Sequence, residues 1–202
     1  MHVLDEDEVL EAQAVHRRHD VAYIPAPNVV DVVVSDSLLV PGINPTAFAF
    51  VFTPEGSLVL ANNRRRGPEV AGGHIEPGET AEQGAVREAR EETGAVLAGL
   101  VPVGFFRSVT QAVKPEGYRY PHPVSCQQFF AAVAASFDAY VPNDECLEPI
   151  TLSPSEARNV LRDAEFILYQ SALRKLFPGL ADDEGFPASC GNEGEGLAFS
   201  LS

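Results

Sequence analysis

The sequence predicts a mixed α/β domain, and three features predict it. Short Val- and Phe-rich runs bounded by turn residues recur through its first two thirds, as strands do. One internal stretch, 81–93, carries helix signals at both of its ends. A pair of helical patterns follows the last strand candidate, the first opened by its own capping box.

Taken in order, residues 5–18 read as a short amphipathic helix, with Val9, Leu10 and Val15 as apolar positions and acids in the first turn, where the helix dipole favours them. "NVVDVVVSDSLLV" reads as strand, broken at Ser35-Asp36. "TAFAFVF" and "SLVLANN", joined by "TPEG", read as two strands around a tight turn. "VLAGLVPVGFFRSV" and "SCQQFFAAVAASF" are further strands, separated by the Pro-rich loop "TQAVKPEGYRYPHP"; a loop that long inside a compact domain usually serves function. In "LSPSEARNVLRDA", Ser153 is the expected N-cap, Pro154 suits the first helical position, and Glu156 completes the box. "EFILYQSALRKLF" is a second helix, ending near Pro178-Gly179. The expected organisation is an N-terminal helix and strand extension over 1–44, a main domain over 45–178, and a flexible acidic tail over 179–202.

The 202 residues, 45% hydrophobic and 21% charged, are those of a soluble globular chain with material for a sizeable core. No apolar run is long enough to span a bilayer, and "MHVLDEDEVLEAQ" is acidic rather than a basic signal region, so a cytoplasmic location is expected, with no membrane partner. Cys126, Cys146 and Cys190 show no CxxC spacing and cannot all pair, so they read as idle thiols. A net charge of −15 argues against a nucleic-acid polymer as partner. It is compatible with a small phosphorylated ligand, because a divalent metal reverses the local field.

The stretch "GGHIEPGETAEQGAVREAREETGA" crowds glutamates at 76, 79, 82, 88, 91 and 92, although like charges on a helix repel. Thr80 and Gln83 suit the start of a helix and Gly94 its end. Glu88, Glu91 and Glu92 are spaced i, i+3, i+4 and share one helical face. Oxygen donors grouped in this way suit Mg²⁺ or Mn²⁺, which also bind substrate phosphates. A lone ExxEE reads as readily as a solvated face; the wider spacing separates the two. Gly73, five residues, Glu79, seven residues, then Arg87-Glu88-Ala89-Arg90-Glu91-Glu92-Thr93-Gly94-Ala95 resembles the Nudix box of the Nudix hydrolases, with every fixed Gly, Glu and Arg position filled. The order of strands and the late helix over roughly 45–178 is also similar to that domain.

The resemblance implies a mixed sheet held between helices and Mg²⁺-dependent hydrolysis, with Mn²⁺ as substitute, of a diphosphate bond in a nucleoside diphosphate linked to another group. It implies that Glu88, Glu91 and Glu92 ligate metal, with the Gly73 carbonyl as a further ligand, and that Arg87 pairs with Glu79 to orient the carboxylates. The general base is Glu88 or a glutamate outside the box; Glu116, Glu145 and Glu148 are available, Glu145 being favoured. Ala71 and Ala95 are smaller than, or different from, the residues usual in the family, which touches packing rather than ligands. For substrate contacts, Arg64 and Arg66 in "NNRRRGPE" suit phosphates, and Tyr118 and Tyr120 in "KPEGYRYPHPVS" suit stacking on a base. His74 reads as incidental. The surroundings of the box resemble small bacterial relatives grouped with nucleoside triphosphate diphosphatases, and the family's habits include homodimers. The second function class is a nucleotide-binding sensor on the same fold without efficient hydrolysis.

Overall fold

A computed structural model of the chain describes residues 1–183. Its elements are β1 (Val3–Leu4), α1 (Glu6–Glu11), β2 (His16–His19), β3 (Asn28–Val34), β4 (Leu38–Leu39), β5 (Thr46–Phe52), β6 (Leu58–Asn63), β7 (Gly67–Glu69), β8 (Ala71–His74), α2 (Ala81–Thr93), β9 (Ala95–Leu97), β10 (Val101–Thr110), β11 (Val124–Phe137), β12 (Cys146–Leu152), α3 (Pro154–Val160), α4 (Asp163–Leu176) and α5 (Pro178–Asp183). The main sheet runs β12-β6-β5-β11-β10-β3-β2, with β7 on β6, β8 on β5 and β9 on β11. Its pairings are antiparallel except for β5 beside β11. Parallel β1 and β4 form a separate two-stranded ribbon.

Alternation along the strands divides the sheet into two buried faces. Phe50, Phe52, Leu60 and Phe129 point to one side and pack with Phe166, Leu168, Tyr169 and Leu173 of α4. Ala47, Ala49, Ala61 and Phe130 point to the other and receive Ala85 and Ala89 of α2. Farther along that second face Phe105, Val33 and Cys126 bury Val9 of α1. The result is the expected α/β/α sandwich.

Several elements differ from the sequence reading. The first helix stops at Glu11 instead of reaching residue 18. Arg107, buried on β10, donates to the carbonyls of Val9, Leu10 and Ala12 at the helix's end and to Asp31 of β3 at 2.5 Å. Beyond that end, His16–His19 pairs with β3, and Arg17, directly opposite Asp31 in register, binds its carboxylate through Nε at 2.6 Å and Nη2 at 3.0 Å. This strand edge outcompetes one more turn of a helix that buries only Val9. The run at 96–109 is cut into β9 and β10 around Gly99, which takes φ +115. β7, β8 and β12 arise in stretches to which the sequence reading gave no strand, and α5 (Pro178–Asp183) runs from the expected domain end at 178 into the first residues of the expected tail. The rest of that tail, 184–202, lies outside the described residues, as does Cys190.

Candidate active site

α2 forms where the local signals place it. Thr80 Oγ1 accepts from Gln83 N at 3.2 Å, and the Gln83 side chain accepts from Thr80 N at 2.8 Å. Gly94 closes the helix in the left-handed region at φ +72, where a Cβ would also meet the Asp138 carbonyl at 2.9 Å. Ala85 and Ala89 are fully buried against alanines of β5, β6 and β8, so the helix lies close to the sheet. That packing directs Glu88 and Glu92 toward the glycines of β8. Glu88 lies so near Gly73 that a Cβ there would stand 2.5 Å from its Oε1. Glu92 Oε2 accepts the Gly72 N–H at 2.9 Å.

Arg87 ties the loop to the helix. Its Nε and Nη2 donate to the two oxygens of Glu79 at 2.9 and 3.1 Å, the bidentate geometry a guanidinium allows. Nη1 donates to Glu88 at 2.9 Å and Glu91 at 3.3 Å, and Nη2 also donates to the His74 carbonyl at 3.0 Å. One cation therefore bridges three carboxylates, leaving a net negative charge among them, and fixes the strand before the loop. Hydrogen bonding from Arg87, then from the Glu76 N–H, holds the Glu79 carboxyl below its ordinary range. Arg87 is in turn raised, first by its hydrogen bond to Glu79.

Glu92 has the opposite character. Burial pushes its carboxyl up to about 7; the Gly72 N–H opposes this, while Glu88, Glu69 and Glu145 add repulsion. A half-buried acid among three others favours a cation. The donor chemistry fits a hard divalent ion: Glu88, Glu91 and Glu92 supply only oxygen, and Gly73 has no side chain where Glu88 reaches across. In their present rotamers the carboxylates remain engaged with Arg87 and Gly72, and no three acidic, His or Cys side chains converge on one point among the described residues.

Two flanks complete the site. On one, Arg66 forks onto Glu69 through Nη2 at 2.6 Å and Nε at 2.8 Å, and stands 3.8 Å from Glu145. Asn63, Arg65, Arg66, Asp144 and Glu145 line a 270 Å³ cavity here. Arg64 is spent elsewhere, its Nε donating to the Asn143 carbonyl at 2.8 Å. On the other flank, Tyr118 and Tyr120 meet edge to face at 5.6 Å, and Tyr120 stacks on the His74 ring at 5.7 Å. The structure thus brings Gly73, Glu79, Arg87, Glu88, Glu91 and Glu92 together, sets Arg66 and Glu145 on one side, and sets Tyr118 and Tyr120 on the other. Glu69 and His74 belong to this constellation although neither stood out in the sequence. His74 is next to the two glycines of the box, which was the available signal.

The fold and this loop-helix constellation define the class. The chain belongs to the NUDIX family: the NUDIX domain model matches residues 42–179. Among curated proteins it is 42% identical over 52 residues to the putative 8-oxo-dGTP diphosphatase YtkD of Bacillus subtilis, a match covering 26% of this chain and 33% of that relative. Among solved structures it resembles a mutant form of the Bacillus subtilis pyrophosphohydrolase BsRppH, with 21% identity, a TM-score of 0.58, and coverage of 79% of this chain and 96% of that one. A looser likeness, at a TM-score of 0.48 and 16% identity, is to the NUDIX domain of Shewanella oneidensis NrtR complexed with ADP ribose, covering 65% of this chain and 86% of that one. Among the described residues no helix is long and apolar enough to cross a membrane.

Proposed function

We propose that this protein hydrolyses a diphosphate bond in a small nucleotide, such as a nucleoside triphosphate, with Mg²⁺ as cofactor and Mn²⁺ as substitute. The observation that carries the reading is Arg87 locking Glu79, Glu88, Glu91 and the His74 carbonyl into one unit beside the half-buried Glu92. Glu88, Glu91, Glu92 and the Gly73 carbonyl would hold the metal, which supplies charge neutralisation for the phosphoryl oxygens and a lowered pKa for water. The names of the relatives, a diphosphatase and a pyrophosphohydrolase, agree with this class of reaction.

The chain's own residues divide the remaining work. Arg87 and Glu79 position the helix carboxylates. Water attacks a phosphorus, the bond from that phosphorus to the bridging oxygen breaks, and the proton passes to a carboxylate. Glu145 suits this role, because its side chain is two-thirds exposed, lines the 270 Å³ cavity and lies close enough to Glu92 to repel its charge; Glu88 is the alternative base. Arg66 stands at the same opening, where a substrate phosphate can exchange for its Glu69 partner. Tyr118 and Tyr120 face the nucleoside part, and Arg64, held by Asn143, shapes the turn behind Arg66. A reducing, cytoplasmic setting fits the free and buried Cys126 and Cys146, whose thiols burial pushes up to about 12 and about 11.

The test is a panel of nucleoside triphosphates, an oxidised dGTP, ADP-ribose, nucleotide sugars and dinucleotides, assayed for phosphate and pyrophosphate release. Turnover of at least one substrate in Mg²⁺, abolished by EDTA and restored by added metal, is expected. Metal-independent turnover, or none across the panel, contradicts the proposal.

A further inference from the structure

We infer that the groove between β2 and the first turn of α4 binds an oligophosphate anion, one with two or more linked phosphates. The inference does not depend on the proposed hydrolysis. The groove measures about 640 Å³ and is lined by His16 and Arg18 of β2, Arg158 of α3, Arg162 at the joint between α3 and α4, and Asp163, among others. Strand register explains how these groups meet. Arg17 stands opposite Asp31 and binds it, so His16 and Arg18, opposite Val32 and Val30, take the other face of β2. Val32 shares a core cluster with Phe166 and Leu168 of α4. His16 and Arg18 therefore flank the start of that helix. α2 packs on the opposite face of the sheet, so the groove is separate from the candidate active site.

The charges point to an anion. The whole chain has 14 Lys and Arg against 29 Asp and Glu, yet three arginines and a histidine line this groove beside a single carboxylate. That carboxylate is already engaged: Arg158 Nη1 donates to Asp163 Oδ1 at 3.2 Å, while the Arg158 guanidinium lies 4.7 Å over the Phe166 ring. Arg162 stands 3.7 Å from Glu165 in the same turn. The side chains of Arg18 and His16 have no hydrogen-bond or ion-pair partner among the described residues. Cations gathered without an equal number of acids repel one another, and a bound anion removes that cost.

The helix adds donors of its own. α4 is 14 residues long, and its N-cap is Arg162, whose side chain carries only donors and gives the first-turn N–H groups no cap. Asp163 and Ala164, which begin that turn, line the groove. Oriented N–H groups at a helix start and guanidinium forks are the two devices that hold phosphate. The dimensions favour linked phosphates over one. At ~30 Å³ per water the groove spans roughly twenty waters' worth of space, more than one orthophosphate fills. His16 and Arg18 also stand about 7 Å apart along their strand, which suits charges in a row.

The experiment titrates the full-length protein in EDTA at neutral pH and follows backbone amide NMR shifts. The probes are pyrophosphate, orthophosphate, sulfate, ADP and a short poly-glutamate peptide; EDTA keeps metal from carrying phosphate to α2. Pyrophosphate is expected to shift the amides of 16–18 and 161–164 and to bind more tightly than orthophosphate or sulfate. Arg18→Gln and Arg162→Gln are each expected to weaken it about 5–10-fold, because the contacts are charge-assisted but solvent-exposed. Both side chains are exposed, so each variant should melt within about 2 °C of the parent. ADP binding in the groove more tightly than pyrophosphate would name a nucleotide as the source of the phosphates, and weaker ADP binding would name the free anion. Shifts confined to Arg64, Arg66 and the α2 region, sulfate or poly-glutamate binding as tightly as pyrophosphate, or unchanged binding in both variants would each overturn the assignment.

Discussion

Replacing Gly73 by alanine separates the site's geometry from the fold. Gly73 sits within β8 without a positive φ, so an alanine meets no backbone strain there. What it meets is a carboxylate: the new Cβ would stand 2.5 Å from Glu88 Oε1 and 2.8 Å from its Cδ, against the 3.0 Å that real Cβ contacts essentially never undercut. Glu88 must therefore retreat by at least ~0.5 Å, which is the tolerance within which a functional group has to be held. Its bond to Arg87, now 2.9 Å, has to lengthen or turn with it. Misplacement on the scale of 1 Å costs on the order of 10²-fold in rate, so kcat/KM for the best substrate is expected to fall about 10²-fold. The atom that yields is the end of a flexible side chain, so stability should hardly change, with Tm within about 2 °C of the parent, which corresponds to less than ~1 kcal/mol. The assay is steady-state hydrolysis at saturating Mg²⁺, with a thermal melt on the same preparation. Full activity in Gly73→Ala would refute the placement of Glu88 in the site, and a loss of activity matched by unfolding would refute the separation of site from fold.

Other expectations follow from the electrostatics. Asp31→Asn leaves Arg107 buried without its carboxylate, a change that costs ~3–5 kcal/mol in general. Arg107 keeps three carbonyls at the end of α1, those of Val9, Leu10 and the capping Ala12, so the low end, about 3 kcal/mol or a Tm loss of roughly 6–12 °C, is expected in a melt at neutral pH. Burial raises the Asp31 carboxyl, but the hydrogen bonds from Arg17 and Arg107 outweigh it and hold the group below its ordinary 3.8. Its stabilising effect is therefore complete above that value and is lost as pH falls through the folded pKa, so parent and variant should converge in strong acid. Glu92 has the reverse sign. Its folded pKa of about 7 exceeds the ordinary 4.5, so the metal-free protein should lose stability as pH rises from about 4.5 to about 7. A Tm series in EDTA checks this, and a Glu92→Gln protein should not show the decline. Arg87→Lys keeps the charge but not the fork onto Glu79, and a 10–100-fold drop in activity is expected where orienting partners are lost.

What the sequence disclosed was local. Thr80, Gln83 and Gly94 sit within one helix of one another, so α2 and its carboxylate face could be read directly, and the pairing of Arg87 with Glu79 followed from the resemblance and stands in the structure. What it concealed was set by distant partners. Arg107 and Asp31 are 76 residues apart, and their pairing decides where α1 stops and β2 begins. β12 contains Glu148 and Pro149, which break the strand pattern but are tolerated on an edge strand with a shifted register. β7 and β8 are hidden among Gly and Pro: the turn from β6 into β7 needs the Asn63 carboxamide oxygen to accept the N–H groups of Arg65 and Arg66, and β8 forms only by pairing with the more distant β5.

The most direct measurement is the Mg²⁺ dependence of turnover for Glu92→Gln beside the parent, on the best substrate of the panel. The parent's rate is expected to rise and saturate with Mg²⁺, while Glu92→Gln falls at least about 10²-fold in kcat with an equal or higher Tm in the metal-free state. A Glu92→Gln enzyme that turns over normally with an unaltered Mg²⁺ response would contradict the assignment of α2 as the metal-holding, catalytic element.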